Sequence, residues 1–185
     1  MPTVEHSALT TGEIHEPKGA AAASAGEMFV ADGAGSGEFT YPNPYGGWRY
    51  NDIGTGTTFT TPTSYTLMDV VGTTTNLNEF THNALGRLTY TGTQARHLHA
   101  VIDTSFKHST GGGNDIYFAV YKNGTILGTP NSEMIQSADS ATYHHIAIHF
   151  DDMASTNDYY EIYLKVASGN VIIHSAYMFL MGMPG

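Results

Sequence analysis

Ten histidines are the side chains in this 185-residue chain best suited to chemistry: His6, His15, His82, His97, His99, His108, His144, His145, His149 and His174. His97 and His99 stand two apart, so on a strand both point to one side. His145 and His149 likewise share one side of the segment 143–150. Such pairs can ligate zinc or respond to pH. No third ligand stands at a recognised spacing, so these histidines read as outward-facing polar or subunit-contact residues, and no metal is expected. Asp151-Asp152 with Asp158 could suggest a calcium loop. The spacing does not follow the EF-hand ligand pattern, and loop aspartates commonly cap turns.

Nucleophilic catalysis finds little support. There is no cysteine and no Gly-x-Ser-x-Gly turn. Gly33-Ala-Gly-Ser-Gly37 is not a phosphate loop, because neither a Lys-Ser/Thr pair nor a helical pattern follows it. A carboxylate pair for glycoside hydrolysis has no sequence signature of its own. The expectation is a protein that is not an enzyme and carries no cofactor.

Twelve tyrosines offer a different use. Tyr117, Tyr121, Tyr159 and Tyr163 alternate with apolar residues on two candidate strands, so they occupy the face opposite the expected core. Aromatic rings on a second face can fill an oligomer interface, where the ring is buried and the hydroxyl still finds a partner. The same rings could bind a sugar, or simply line a solvated face.

The elements that would position these groups are strands. In Arg96-His-Leu-His-Ala-Val-Ile-Asp-Thr-Ser-Phe106, Leu98, Ala100, Ile102, Thr104 and Phe106 form one face, and His97, His99, Val101, Asp103 and Ser105 the other. Ile116, Phe118 and Val120 alternate with Tyr117, Ala119 and Tyr121. Asn123-Gly124 follows, the strongest short hairpin signal. Residues 143–150 set His144, Ile146, Ile148 and Phe150 on one side, and residues 158–166 do the same with Tyr160, Ile162, Leu164 and Val166. A last strand covers Val171 to Leu180. Residues 48–84 are Thr-rich and predict one or two short strands. The pattern predicts an all-β antiparallel sandwich over 48–185.

Residues 1–47 predict an extended arm. Gly12, Pro17, Gly19, the alanines 20–23, Asp32-Gly-Ala-Gly-Ser-Gly37, Pro42, Pro44 and Gly46-Gly47 interrupt every helical window. Met28-Phe-Val30 and Phe39/Tyr41 are its only apolar anchors. Such a segment buries too little surface to offset its ordering entropy alone. It should become fixed by lying against another protein.

Composition limits the partners. Charged residues are 13% of the chain, about half the usual share. Such a surface repels copies of itself only weakly. The formal charge of −10, with seven scattered bases, argues against nucleic acid and against an anionic membrane. The N-terminus lacks the basic start and apolar stretch of a signal peptide, and the apolar run Tyr177 to Met183 is too short to span a bilayer. The expectation is synthesis in a cytoplasm and, if the protein works outside a cell, release by lysis rather than by secretion.

Two stretches carry a family resemblance. Gly12-Glu-Ile-His-Glu-Pro-Lys-Gly-Ala20, the alanine-rich sequence after it and Met28-Phe-Val-Ala-Asp-Gly33 resemble an N-terminal segment of tailed-bacteriophage virion proteins of the head-fibre, decoration and tail-associated kinds. The resemblance implies a virion location and a docking role for His15, Glu16, Pro17, Lys18, Gly19, Met28, Phe29 and Val30, with the major capsid protein or another virion protein as partner. The second stretch runs from Leu88-Thr-Tyr-Thr-Gly92 through Tyr121-Lys-Asn-Gly124 and Asp158-Tyr-Tyr-Glu-Ile-Tyr-Leu164 to the final strand. It looks like a jelly roll of the tumour necrosis factor type, which implies a homotrimer and no catalytic residues. Capsid decoration is the leading expectation. A short head or tail fibre that recognises a host glycan is the alternative.

Overall fold

A computed structural model of the chain describes residues 22, 28–31, 37–40, 43–52, 54–60, 62–110, 113–128 and 133–183. The chain divides into two compact units, Met1–Pro42 and Asn43–Gly185. In the first, β1 (Met28–Ala31) and β2 (Gly37–Thr40) form an antiparallel hairpin in which Phe29 faces Phe39 at 5.4 Å between ring centroids. The expected arm is therefore paired in part, with Phe29 and Phe39, two of its apolar anchors, in contact. Met28 and Phe29 remain exposed.

The second unit is a two-sheet antiparallel sandwich, and no described residue lies in an α-helix. Its strands are β3 (Tyr45–Asn51), β4 (Thr57–Phe59), β5 (Thr66–Leu67), β6 (Thr73–Thr74), β7 (Phe80–His82), β8 (Leu88–Tyr90), β9 (Arg96–His108), β10 (Asn114–Lys122), β11 (Thr125–Ile126), β12 (Glu133–Ala138), β13 (His144–Ala154), β14 (Tyr159–Val166) and β15 (Val171–Gly182). One sheet runs β11-β10-β14-β8-β7, with β12 also on β10 and β5 also on β14. The other runs β13-β9-β15-β3-β6, with β4 also on β15.

The long strands follow the alternation. Leu98, Ala100, Ile102, Thr104 and Phe106 of β9 are fully buried, as are Ile116, Phe118 and Val120 of β10. The inner faces of the sheets meet at Phe106 and Phe118, whose rings stand 4.7 Å apart. Two expectations are corrected. The sandwich begins at Asn43 rather than at residue 48, because Tyr45–Gly47 already pair with Phe179–Met181. The Thr-rich stretch supplies more than two strands. Its Trp48 lies fully buried, stacked on His82 at 5.9 Å and flanked by Gly72, where a Cβ would meet the indole at 2.9 Å.

The Asn123-Gly124 turn forms as its residue types require. Asn123 has φ 53° and Gly124 φ 77°, the left-handed pair that matches strand twist. Lys122 then pairs with Thr125 across the two-residue loop. A side chain at Gly124 would have to hold that conformation at a cost of about 1–2 kcal/mol. Gly124→Val is therefore expected to lower the urea midpoint by that stability, whereas Thr125→Val, with no such requirement, should leave it nearly unchanged.

Candidate interaction faces

Both sheets turn one face to the core, so each presents an outward face of alternate residues. On the first sheet, β10 contributes Tyr117, Ala119 and Tyr121, and β14 contributes Tyr159, Glu161, Tyr163 and Lys165. Their register sets Tyr117 opposite Lys165, Ala119 opposite Tyr163 and Tyr121 opposite Glu161. The four tyrosines singled out from the sequence do share this face, and all are partly buried.

The rings here are already packed within the chain. Tyr121 and Tyr163 stack at 3.9 Å, and Tyr65, from the segment leading into β5, meets Tyr121 edge-on at 5.9 Å. The Lys165 ammonium lies 4.1 Å from the Tyr65 ring and 4.6 Å from the Tyr117 ring. Tyr65 donates a 2.5 Å hydrogen bond to Glu133. Arg87 covers the Tyr159 ring at 3.9 Å, and its Nε–H donates to Glu161 at 2.8 Å. This layer leaves Glu161, an outward residue on the strand pattern, with only 3% of its side chain exposed. Burial raises the Tyr121 and Tyr163 hydroxyls above the ordinary tyrosine range, with the carboxylates of Glu133 and Glu161 adding to the effect at Tyr121 and Tyr163 respectively. Both stay neutral and able to donate.

The second sheet differs. Antiparallel pairing of β13, β9 and β15 lines up outward residues in rows: Asp151–His99–Met181, His149–Val101–Phe179, Ala147–Asp103–Tyr177 and His145–Ser105–Ser175. The β3 strand extends these rows with Tyr45, Gly47, Arg49 and Asn51. Gly47 is required: a Cβ there would stand 2.9 Å from the Phe179 ring and 2.8 Å from the Met178 carbonyl.

The histidine pairs noted in the sequence thus converge on one surface. His145 Nε2 bonds Asp103 at 2.6 Å, and His99 Nδ1 bonds Asp151 at 2.7 Å. The His149 ring lies 5.8 Å from that of His99. Among the described residues, no group of three or more His, Cys, Asp or Glu could hold a metal ion. The middle of the face is apolar: Val101, Tyr177, Phe179 and Met181, with Met153 at its edge. Met153 is 54% exposed and Met181 42%. Sequence reasoning passed over these residues, although the unbroken run Tyr177 to Met181 already signalled a strand apolar on both sides.

The remaining sequence candidates separate. Asp152 and Asp158 do not form a calcium loop. They flank the Lys122 ammonium at 2.8 and 3.0 Å, and Asp158 also caps the Ser155 amide. Of the expected docking residues, Met28, Phe29 and Val30 lie in β1, while His15, Glu16, Pro17, Lys18 and Gly19 lie outside the described residues. No described helix is long and apolar enough to cross a membrane.

No protein-family model and no curated protein matches the sequence. Solved structures do match its fold. The chain is similar to PRD1 vertex protein P5 with a TM-score of 0.51 and 14% identity, over 77% of this chain and 97% of that one. It is similar to Eiger TNF from S. frugiperda with a TM-score of 0.56 and 8% identity, over 77% and 94%. The globular domain of zebrafish complement 1qA gives 0.50 and 9% over 77% and 98%. At these identities the likeness concerns the fold, and it identifies the sandwich as a jelly roll of the tumour necrosis factor type.

Proposed function

We propose that this chain is a non-enzymatic structural protein of a tailed-bacteriophage particle, a capsid decoration protein. Its N-terminal unit docks on the shell and its sandwich assembles into a homotrimer. The observation that carries this reading is the division of labour along the chain. Asn43–Gly185 holds a continuous core of its own, while Met1–Pro42 is a separate unit with Met28 and Phe29 exposed on its hairpin. A two-stranded hairpin alone is marginal in water, so a docking partner would supply the missing contacts. The docking residues proposed are His15, Glu16, Pro17, Lys18, Gly19, Met28, Phe29 and Val30. Three such units on one trimer act as linked binding events, which can raise avidity ~100-fold or more over a single unit. The fold-level likeness to a vertex protein is in keeping with this reading.

A second reading, a short head or tail fibre that recognises a host glycan, draws on the aromatic face built from Tyr65, Tyr117, Tyr121, Tyr159 and Tyr163, since sugars bind on stacked rings beside charged groups. Copy number separates the two. Quantitative mass spectrometry against the major capsid protein should find hundreds of copies per particle for a decoration protein. A few to a few tens would favour the fibre, and none would remove the virion reading.

A further inference from the structure

We infer that the Asn123-Gly124 turn is a deamidation site held shut by the fold, with Asp158 and the Tyr159 amide as the clamp. The inference concerns the chemistry of one turn and stands apart from the role proposed above.

Asn123-Gly124 is the one Asn-Gly pair in the sequence. Asparagine is a thermolabile residue, and a following glycine makes it more so, because no Cβ shields the next backbone nitrogen. In the reaction the Gly124 nitrogen attacks Asn123 Cγ. A C–N bond forms, the Cγ–Nδ2 bond breaks, and Nδ2 leaves as ammonia with the proton from the Gly124 nitrogen. Water then opens the cyclic imide to aspartate or isoaspartate. Nothing is oxidised or reduced. Both residues are exposed, so water reaches the turn and burial gives no protection.

The protection is geometric. The Asn123 carboxamide is held at both ends by the start of β14: Nδ2 donates to Asp158 Oδ1 at 2.7 Å, and Oδ1 accepts from the Tyr159 amide at 3.0 Å. The Asn123 amide also donates to the Tyr159 carbonyl at 3.0 Å. Asp158 is itself fixed, by the Ser155 amide at 2.8 Å and by Lys122 at 3.0 Å. To reach the Gly124 nitrogen, the carboxamide must turn away from β14 and give up both side-chain bonds, one of them to a charged group.

The product cannot rebuild the clamp. Aspartate would set a second carboxylate against Asp158, where the 2.7 Å bond now stands. Isoaspartate would add a methylene to the backbone of a two-residue loop across which Lys122 must meet Thr125. Conversion is therefore one-way, and it would loosen the end of the sandwich where Lys122 holds Asp152 and Asp158.

Peptide mapping by mass spectrometry follows the conversion of Asn123 in the full chain at neutral pH over weeks. The comparison is between native wild type, wild type unfolded in urea, Asp158→Ala and Asp152→Ala. Asp152→Ala removes a partner of Lys122 but no part of the clamp, and circular dichroism shows which variants fold. We expect native wild type to react at least ~10-fold more slowly than the unfolded chain, the equivalent of one hydrogen bond to a charged group. Folded Asp158→Ala should react at least ~10-fold faster than native wild type, and Asp152→Ala at nearly the wild-type rate. If Asp158→Ala does not fold, Asp158→Asn, which keeps an oxygen there but not the charge, takes its place and should also react faster than wild type. Native wild type that reacts as fast as the unfolded chain overturns the inference. So does a folded Asp158 variant as slow as wild type, or an Asp152→Ala acceleration equal to that of the Asp158 variant, which would assign the protection to the Lys122 contacts alone.

Discussion

Phe118→Ala is expected to destabilise the sandwich by about 3–5 kcal/mol, the range for removing a large aromatic from a core that collapses only in part. Phe118 comes from β10 and Phe106 from β9, so their contact joins the two sheets rather than two neighbours on one sheet. Both are fully buried, with ring centroids 4.7 Å apart. Ile116 and Val120 flank Phe118 on the same inner face and are held by β14, which limits how far the cavity can close. At roughly 2–4 °C per kcal/mol for a domain of this size, the melting temperature should fall by about 10 °C. Because the two rings share one contact, Phe106→Ala with Phe118→Ala should cost less than the sum of the single changes. Chemical denaturation of the three variants measures this. A loss below about 1.5 kcal/mol for Phe118→Ala would mean that the sheets do not meet there as described.

The second large effect is electrostatic. Lys122 closes one end of the sandwich by holding Asp152, Asp158 and the Met153 carbonyl, while Tyr160 donates to Asp152 at 2.6 Å. Burial alone would lower the Lys122 ammonium, but hydrogen bonds with Asp152 and Asp158 outweigh it and hold the group above the ordinary lysine range. Burial would likewise raise Asp158, yet the Ser155 amide, Asn123 and Lys122 hold it below the ordinary carboxylate range. The Lys122 contribution is thus complete below its unfolded value of 10.5 and fades as pH rises through the folded one. That of Asp158 is complete above its unfolded value of 3.8 and fades as pH falls through the folded one. Lys122→Met leaves two partly buried carboxylates without their cation. The loss for a fully buried pair is ~3–5 kcal/mol, and the residual exposure of these groups brings it to about 2 kcal/mol. The difference from wild type should hold across pH 5 to 9 and shrink as pH falls below 3.8, as Asp158 protonates. A difference independent of pH down to pH 2 would show that lost packing, not charge, is responsible.

What could be read from the sequence follows from how local the signal is. Period-two alternation in β9, β10, β13 and β14 reports which side of each strand meets the core, because the opposite sides differ in polarity. The Asn123-Gly124 turn is similarly local, since two left-handed residues suffice to define it. Trp48 was beyond such reasoning. Its strand carries Gly46, Gly47 and Arg49, and only the distant Gly72, Gly86 and His82 show that the indole is enclosed. Glu161 was hidden for the same reason: an outward carboxylate becomes buried only when Arg87 and neighbouring tyrosines close over it. The tyrosine face was legible as a set of residues but not as a packed layer, because Tyr65, Arg87 and Glu133 reach it from other parts of the chain. The β9 face was legible in halves, two histidine pairs on separate strands, until antiparallel pairing placed them beside the apolar strip of β15.

In the proposed role, the N-terminal unit is the part that holds the protein to the particle. Co-sedimentation of purified 43–185 and of the full chain with particles lacking this protein tests that directly. The full chain should pellet with the particles, while 43–185, folded and still self-associated, should remain in the supernatant. If 43–185 pellets as completely as the full chain, docking belongs to the sandwich and the assignment of the N-terminal unit is wrong.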